Sequence, residues 1–331
     1  MKTLLAIAAM ALVLASCSSV NEEEMSPIKV EIIRTNTGYQ LLRGGEPYEI
    51  RGAGMGVDDI ERFASRGGNS IRTWNTVGEY QDTRALLDAA QEYGITVALG
   101  LPMRAERHGF DYDDTEAVAA QLELIRGEVL KYRDHPALLA WLIGNELNHS
   151  YTNPAVYDAV NGVAAMIHEL DPNHPATSTM SGLHADVIAE IAARAPELDF
   201  LSFQVYGSVF GLPQFLEDND IDRPFMVTEW GTIGYWEMEN TAWGVPVEID
   251  SSEKADVFSR VYREILTPLH GRGLIGDYVF LWGQKQERTP TWFGLFTADG
   301  EATETVDVME RAWTGGEPAN RAPRVNTLLL D

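Results

Sequence analysis

Leu138-Leu139-Ala140-Trp141-Leu142-Ile143-Gly144-Asn145-Glu146 is an apolar run that stops abruptly at a carboxylate. Its length and near-continuous hydrophobicity suit a strand buried on both faces, as in a parallel sheet covered by helices. A second run, Pro224-Phe225-Met226-Val227-Thr228-Glu229-Trp230, has the same form. Removing a carboxylate from water is costly unless the group is paired or used. Two carboxylates at matching places, each followed by loop-like sequence, suggest a catalytic pair.

Outward from these runs the chain alternates. Strand-like segments fall at Glu49–Ala53, Ser70–Trp74, Thr96–Leu101, Leu139–Asn145, Ala176–Met180, Phe200–Tyr206, Phe225–Glu229 and Tyr278–Trp282. Amphipathic stretches lie between them, including Thr83–Tyr93, Thr115–Tyr132, Pro154–Leu170, His184–Ala195 and Ser252–His270. In the third of these, Val156, Val160, Val163, Ala164 and Ile167 form one apolar stripe at helical spacing. Ser251 or Ser252 ahead of Glu253 is expected to cap the last, and Gly94 and Gly271 read as helix stops. Eight βα units predict a closed (β/α)8 TIM barrel, an α/β fold, over residues 49–313. A doubly wound sheet would need fewer strands and a nucleotide turn; Gly52-Ala53-Gly54-Met55-Gly56 lacks the G-x-G-x-x-G spacing. Residues 28–48 read as a small β-hairpin able to plug the barrel bottom, and residues 314–331 as a C-terminal tail.

The first residues read differently. Lys2, an apolar stretch from Leu4 to Leu14, and Leu14-Ala15-Ser16-Cys17 have the order of a secretory signal, too short for a membrane span. Cys17 is the sole cysteine of the 331 residues, so no intramolecular disulfide can form. Its position resembles a bacterial lipobox. That resemblance implies a signal peptide at 1–16, lipidation of Cys17 and an acidic tether at 17–27. Ser18 after the cysteine resembles outer-membrane sorting in a Gram-negative bacterium, and Glu22-Glu23-Glu24 the surface-export signal of some Bacteroidetes lipoproteins. The expected location is extracytoplasmic, with membrane contact only through the lipid. A formal net charge of −25 repels nucleic acid and anionic lipid; it fits a neutral or cationic substrate or a saline habitat, and a generally acidic solvated surface is the favoured reading.

Catalytic groups of such barrels sit at the C-terminal ends of the strands. Glu146 ends strand four and Glu229 ends strand seven, facing each other across the mouth. Facing carboxylates suit cleavage of a glycosidic bond, one as proton donor and one as nucleophile or base. The competing reading of either alone is a salt-bridged rim residue. Gly144-Asn145-Glu146 and Thr228-Glu229-Trp230 resemble the clan A retaining glycoside hydrolases, in particular the barrel domain of family 2 glycosidases. The resemblance implies Glu146 as acid/base and Glu229 as nucleophile, with Asn145 bonding the sugar 2-hydroxyl and Trp282 as an aromatic platform after strand eight. Several families of the clan carry a His after strand three, where this chain has Leu101-Pro102-Met103-Arg104.

The neighbouring residue types agree. Arg72, ending strand two, can hold Glu229 ionised, and the Tyr206 phenol can donate to it. Trp230, Tyr235, Trp236, Trp243, Trp292 and Phe293 follow strands seven and eight, and sugar C–H faces stack on such rings. Gln284, in the polar run to Arg288, can bond hydroxyls; Trp74 and Arg104 are further candidates, and core or rim packing is the competing reading for each. The scattered His residues lack the paired spacing of a metal site and no G-x-S-x-G elbow occurs, so no metal and no cofactor are expected. The expected function is a retaining β-glycosidase acting on a β-linked glucan or oligosaccharide. The alternatives are a β-glucanosyltransferase using the same site, a glycan-binding lipoprotein on an inactive barrel, and a metal-dependent barrel hydrolase. Sugar, linkage and oligomeric state stay open.

Overall fold

The computed structural model describes residues 26–77 and 82–324. Cys17 and the leader lie outside the described residues. Three short strands come first: β1 (Val30–Arg34), β2 (Tyr39–Arg43) and β3 (Glu46–Pro47), paired antiparallel in that order. The expected hairpin is thus a three-stranded sheet, because the chain turns back at Gly44 and Gly45, both at positive φ, and Arg43 pairs with Glu46.

Eight parallel strands then close a barrel: β4 (Gly52–Gly54), β5 (Ser70–Arg72), β6 (Thr96–Leu101), β7 (Leu138–Asn145), β8 (Ala176–Ser181), β9 (Leu201–Gln204), β10 (Phe225–Trp230) and β11 (Leu274–Val279). Between them run α1 (Ile60–Ser65), α2 (Thr83–Glu92), α3 (Thr115–Tyr132), α4 (Ala155–Leu170), α5 (Ala185–Arg194), α6 (Leu212–Asp218), α7 (Ser251–Arg260) and α8 (Thr267–Leu269), and α9 (Glu304–Thr314) follows the last strand. This is a TIM barrel. Its strands are buried on both faces, which is why they read as unbroken apolar runs.

Two details of the expected reading change. The eighth strand lies at Leu274–Val279, several residues ahead of Tyr278–Trp282. Asp277 sits inside it and looks like a break in the sequence, but its carboxylate is buried against Trp230 Nε1 at 2.8 Å and His270 Nε2 at 3.1 Å. The cap of α7 is Asp250, ahead of the expected Ser251 or Ser252, in a reciprocal capping box with Glu253. Gly52-Ala53-Gly54 is barrel strand, not a nucleotide turn; a Cβ on Gly52 would come within 2.4 Å of the Asp277 carbonyl.

The N-terminal sheet covers the bottom of the barrel. Val30, Leu41 and Ile50 pack with Ala98, Leu139, Leu142, Phe200, Met226, Ile275 and Tyr278 inside it. Each fully buried side chain of this kind contributes about 1.5–3 kcal/mol. Val30 N donates to Asn173 O at 2.8 Å, and Tyr48 OH to Asn69 O at 2.9 Å, both at strand entrances. The sheet thus closes the end of the barrel opposite the strand ends that carry Glu146 and Glu229.

Candidate active site

The cleft at the mouth has a volume of about 660 Å³. Glu146 and Glu229 both line it, with Trp74, Asn145, Gln204, Tyr206, Trp236, Phe280 and Gln284 among their neighbours. The two carboxylates are delivered by similar devices. The β7–β8 register shifts between Leu142 and Asn145, and β10 shifts against both of its neighbours after Val227. Such irregularities re-aim side chains at strand ends.

Glu229 is nearly buried and receives three donors. Arg72 Nη1 and Trp74 Nε1, the latter at 2.7 Å, donate to Oε1, and Tyr206 OH donates to Oε2 at 2.8 Å. Arg72 is fully buried beneath the cleft. Its other terminal nitrogen donates to Asn145 Oδ1, which also accepts from Gln204 Nε2 at 2.9 Å. These two donors occupy the Asn145 oxygen and leave its amide nitrogen as the donor. Burial, and then the nearby Glu229 charge, push the Tyr206 phenol well above its ordinary range, so Tyr206 stays a donor.

Glu146 is held by its backbone. It has φ 49°, left-handed, with Gly144 at φ 70° just before it. A non-glycine residue there costs on the order of 1–3 kcal/mol unless its surroundings impose it. Glu146 N donates to Thr179 O at 3.1 Å, and the Arg107 guanidinium donates to the carbonyls of Glu146 and Asn145. Burial, and then the Glu229 charge, raise the Glu146 carboxyl to about 7; Arg107 and Arg72 oppose the rise and Glu287 adds to it.

Three expected ligands are elsewhere. Trp230 is fully buried against Phe258 and Tyr262, with its Nε1 on Asp277. It directly follows Glu229, and successive strand residues point to opposite faces. Trp282 packs with Phe63, Phe296 and Trp313 behind the barrel, because the eighth strand ends earlier than expected. Phe280 faces the cleft in its place. Arg104 is exposed over Phe110, outside the cleft lining. Four contributors went unread as site residues: Gln204, Phe280, Arg107 and Glu237. Gln204 was within reach, lying two residues before Tyr206 on the same face; Arg107 and Glu237 come from loops with no periodic signal. Glu237 accepts from the backbone N–H groups of Gly207, Ser208 and Gly234 at 2.7, 2.8 and 3.0 Å, tying the loop after β10 to the loop after β9.

A closed parallel barrel with two glutamates in one cleft, one ringed by donors and one poised near neutrality, defines a two-carboxylate barrel site. The chain belongs to glycosyl hydrolase family 2: the model of that family's TIM barrel domain matches residues 48–235. Part of the chain is similar to mannan endo-1,4-β-mannosidase F of Aspergillus clavatus, with 31% identity over 103 residues, covering 27% of this chain and 24% of that protein. A β-D-glucuronidase from Dictyoglomus thermophilum shares the fold at a TM-score of 0.66 and 16% identity, over 87% of this chain and 53% of that one. A β-galacturonidase from Eisenbergiella tayi does so at 0.65 and 16%, over 91% and 55%. The chain thus spans about half the length of these solved structures and about a quarter of the mannosidase.

Proposed function

We propose that the chain is a retaining β-glycosidase with Glu229 as nucleophile and Glu146 as acid/base. The observation that carries this reading is the contrast between the carboxyls: Glu229 sits under Arg72, Trp74 and Tyr206, while Glu146 is raised to about 7. The Glu229 carboxylate attacks the anomeric carbon as Glu146 protonates the departing oxygen, forming a glycosyl ester and freeing the first product. Esterification removes the Glu229 charge, so the Glu146 carboxyl becomes more acidic and, once ionised, accepts a proton from water. That water attacks the anomeric carbon, the ester bond breaks and Glu229 leaves as carboxylate. Asn145, through its amide nitrogen, bonds the sugar next to the reacting carbon, and Trp74, Phe280 and Trp236 offer apolar faces.

The substrate class follows from the lining. It carries the carboxylates of Glu146, Glu229 and Glu287 and one amine, Lys285, whose Nζ lies 2.6 Å from Glu287. A cleft of that balance suits a neutral sugar and disfavours a uronic acid, whatever the barrel neighbours take. A β-glucan is the preferred substrate, with β-mannan next. Cys17 lipidation after leader removal would hold the enzyme outside the cytoplasm on the membrane; loss of fatty-acid labelling in Cys17→Ala tests that part. Products from mixed-linkage β-glucan, β-mannan and β-galactan, compared for the wild type and Glu229→Ala, test the chemistry. Near wild-type hydrolysis by Glu229→Ala would sink the assignment.

A further inference from the structure

The loop after β10 does more than supply Trp236 to the cleft. Residues 239–247 form a hairpin: Val247 N donates to Glu239 O at 2.9 Å, Thr241 N to Val245 O at 2.8 Å, and Gly244 N closes the turn on Thr241 O at 2.9 Å. Both feet are fastened. Glu237 takes three backbone N–H groups on one side. On the other, Glu248 pairs with the nearly buried Lys254 and accepts from Thr291 Oγ1 at 2.9 Å. On this braced hairpin Trp243 is 78% exposed, with Val245 at 51% and Val247 at 47%. The hairpin therefore holds three solvent-exposed apolar side chains on a fixed support.

We propose that this hairpin is an outer binding surface for a neutral polysaccharide chain, with the Trp243 indole as its stacking face beyond the cleft. The proposal rests on the glycosidase reading for the identity of its ligand. Continuity supports it. Trp236 lines the cleft and packs on Tyr206, and Trp243 follows seven residues later on the same loop, within about 23 Å of extended chain. Charge selects the occupant. The hairpin and its feet carry Glu237, Glu239, Glu248 and Asp250, and no Lys or Arg stands between residues 231 and 253. Such a surface opposes docking on an anionic bilayer, whereas a sugar ring stacks on an indole without needing a charge.

The test is affinity electrophoresis of the full chain through gels carrying soluble mixed-linkage β-glucan, β-mannan or β-galactan, for the wild type, Trp243→Ala and Trp243→Tyr. The expected result is retardation by at least one polymer, a dissociation constant raised roughly three- to tenfold in Trp243→Ala, and most of the affinity kept in Trp243→Tyr. Equal retardation of all three proteins, or none by any polymer, overturns the proposal. So does Trp243-dependent association with phosphatidylcholine–phosphatidylglycerol vesicles in place of polymer. Trp243-dependent retardation of a chain that cleaves no polymer removes the glycosidase reading and leaves the hairpin surface standing. Cleavage without Trp243 dependence does the reverse.

Discussion

The ends of β7 and β10 carry the same side chain and treat it oppositely. At β10, Glu229 is surrounded by donors and tied through Arg72 into a network with Asn145 and Gln204. At β7, Glu146 has its backbone fixed by Thr179 and Arg107, while its carboxyl, half-buried and facing another anion, holds its proton toward neutrality. Environment rather than residue type divides the roles: side-chain donors stabilise an anion, and backbone fixation with desolvation stabilises an acid.

The comparison breaks first at Glu229. On the proposed mechanism Glu229→Ala removes the nucleophile and should lower kcat by roughly 10⁴-fold or more, which a steady-state assay on the cleaved polymer reads. Glu146→Ala should cost roughly 10²–10⁴-fold on natural glycosides. The loss should shrink for aryl glycosides whose leaving group departs unprotonated; an equal loss on both would remove Glu146 as the acid. Tyr206→Phe deletes one hydrogen bond to a charged group, worth about 1.5–3 kcal/mol, and should lower kcat roughly 10–100-fold. Arg107→Met should cost roughly tenfold in kcat with little change in KM, because it loosens Glu146 without touching Glu229. Arg107 opposes the Glu146 shift while Arg72 and Glu229 stay in place, so the alkaline limb of the rate profile should move upward; an unmoved limb would count against it.

The smallest effect is on stability. The folded Glu146 carboxyl titrates near 7, above its unfolded value, so folding favours its protonated form. That contribution is complete below the ordinary Glu range and is lost as pH rises through about 7. Glu146→Gln cannot ionise. Its melting temperature relative to wild type should therefore rise between pH 5 and pH 8, by about 2–4 °C for each kcal/mol involved, measured by differential scanning calorimetry. A flat difference would mean that Glu146 ionises freely in the fold.

Much of the candidate site is legible in the sequence. The carboxylates stood out because apolar strands ended on them, and Arg72 and Tyr206 because they ended strands two and six. Trp230 and Trp282 were misread for local reasons. Trp230 needed only the alternation rule, since it follows a residue facing the cleft. Trp282 depended on the start of β11, which Asp277 disguised: a buried carboxylate with two partners reads as a loop residue until those partners, Trp230 and His270, are known. Arg107 and Glu237 act from loops, where neither period two nor period 3.6 marks a side chain. Their roles arise from chain segments 39 and 30 residues apart meeting in space.

The central claim is that burial, with the Glu229 charge added to it, keeps the proton on Glu146. Carbon-13 NMR titration of the Glu146 carboxyl, in the free enzyme and in the covalent species trapped with a 2-deoxy-2-fluoro glycoside, measures this directly. The account predicts titration near 7 in the free enzyme and a clear downward shift once Glu229 is esterified. An ordinary carboxyl value in the free enzyme, or the same value in both species, would contradict it.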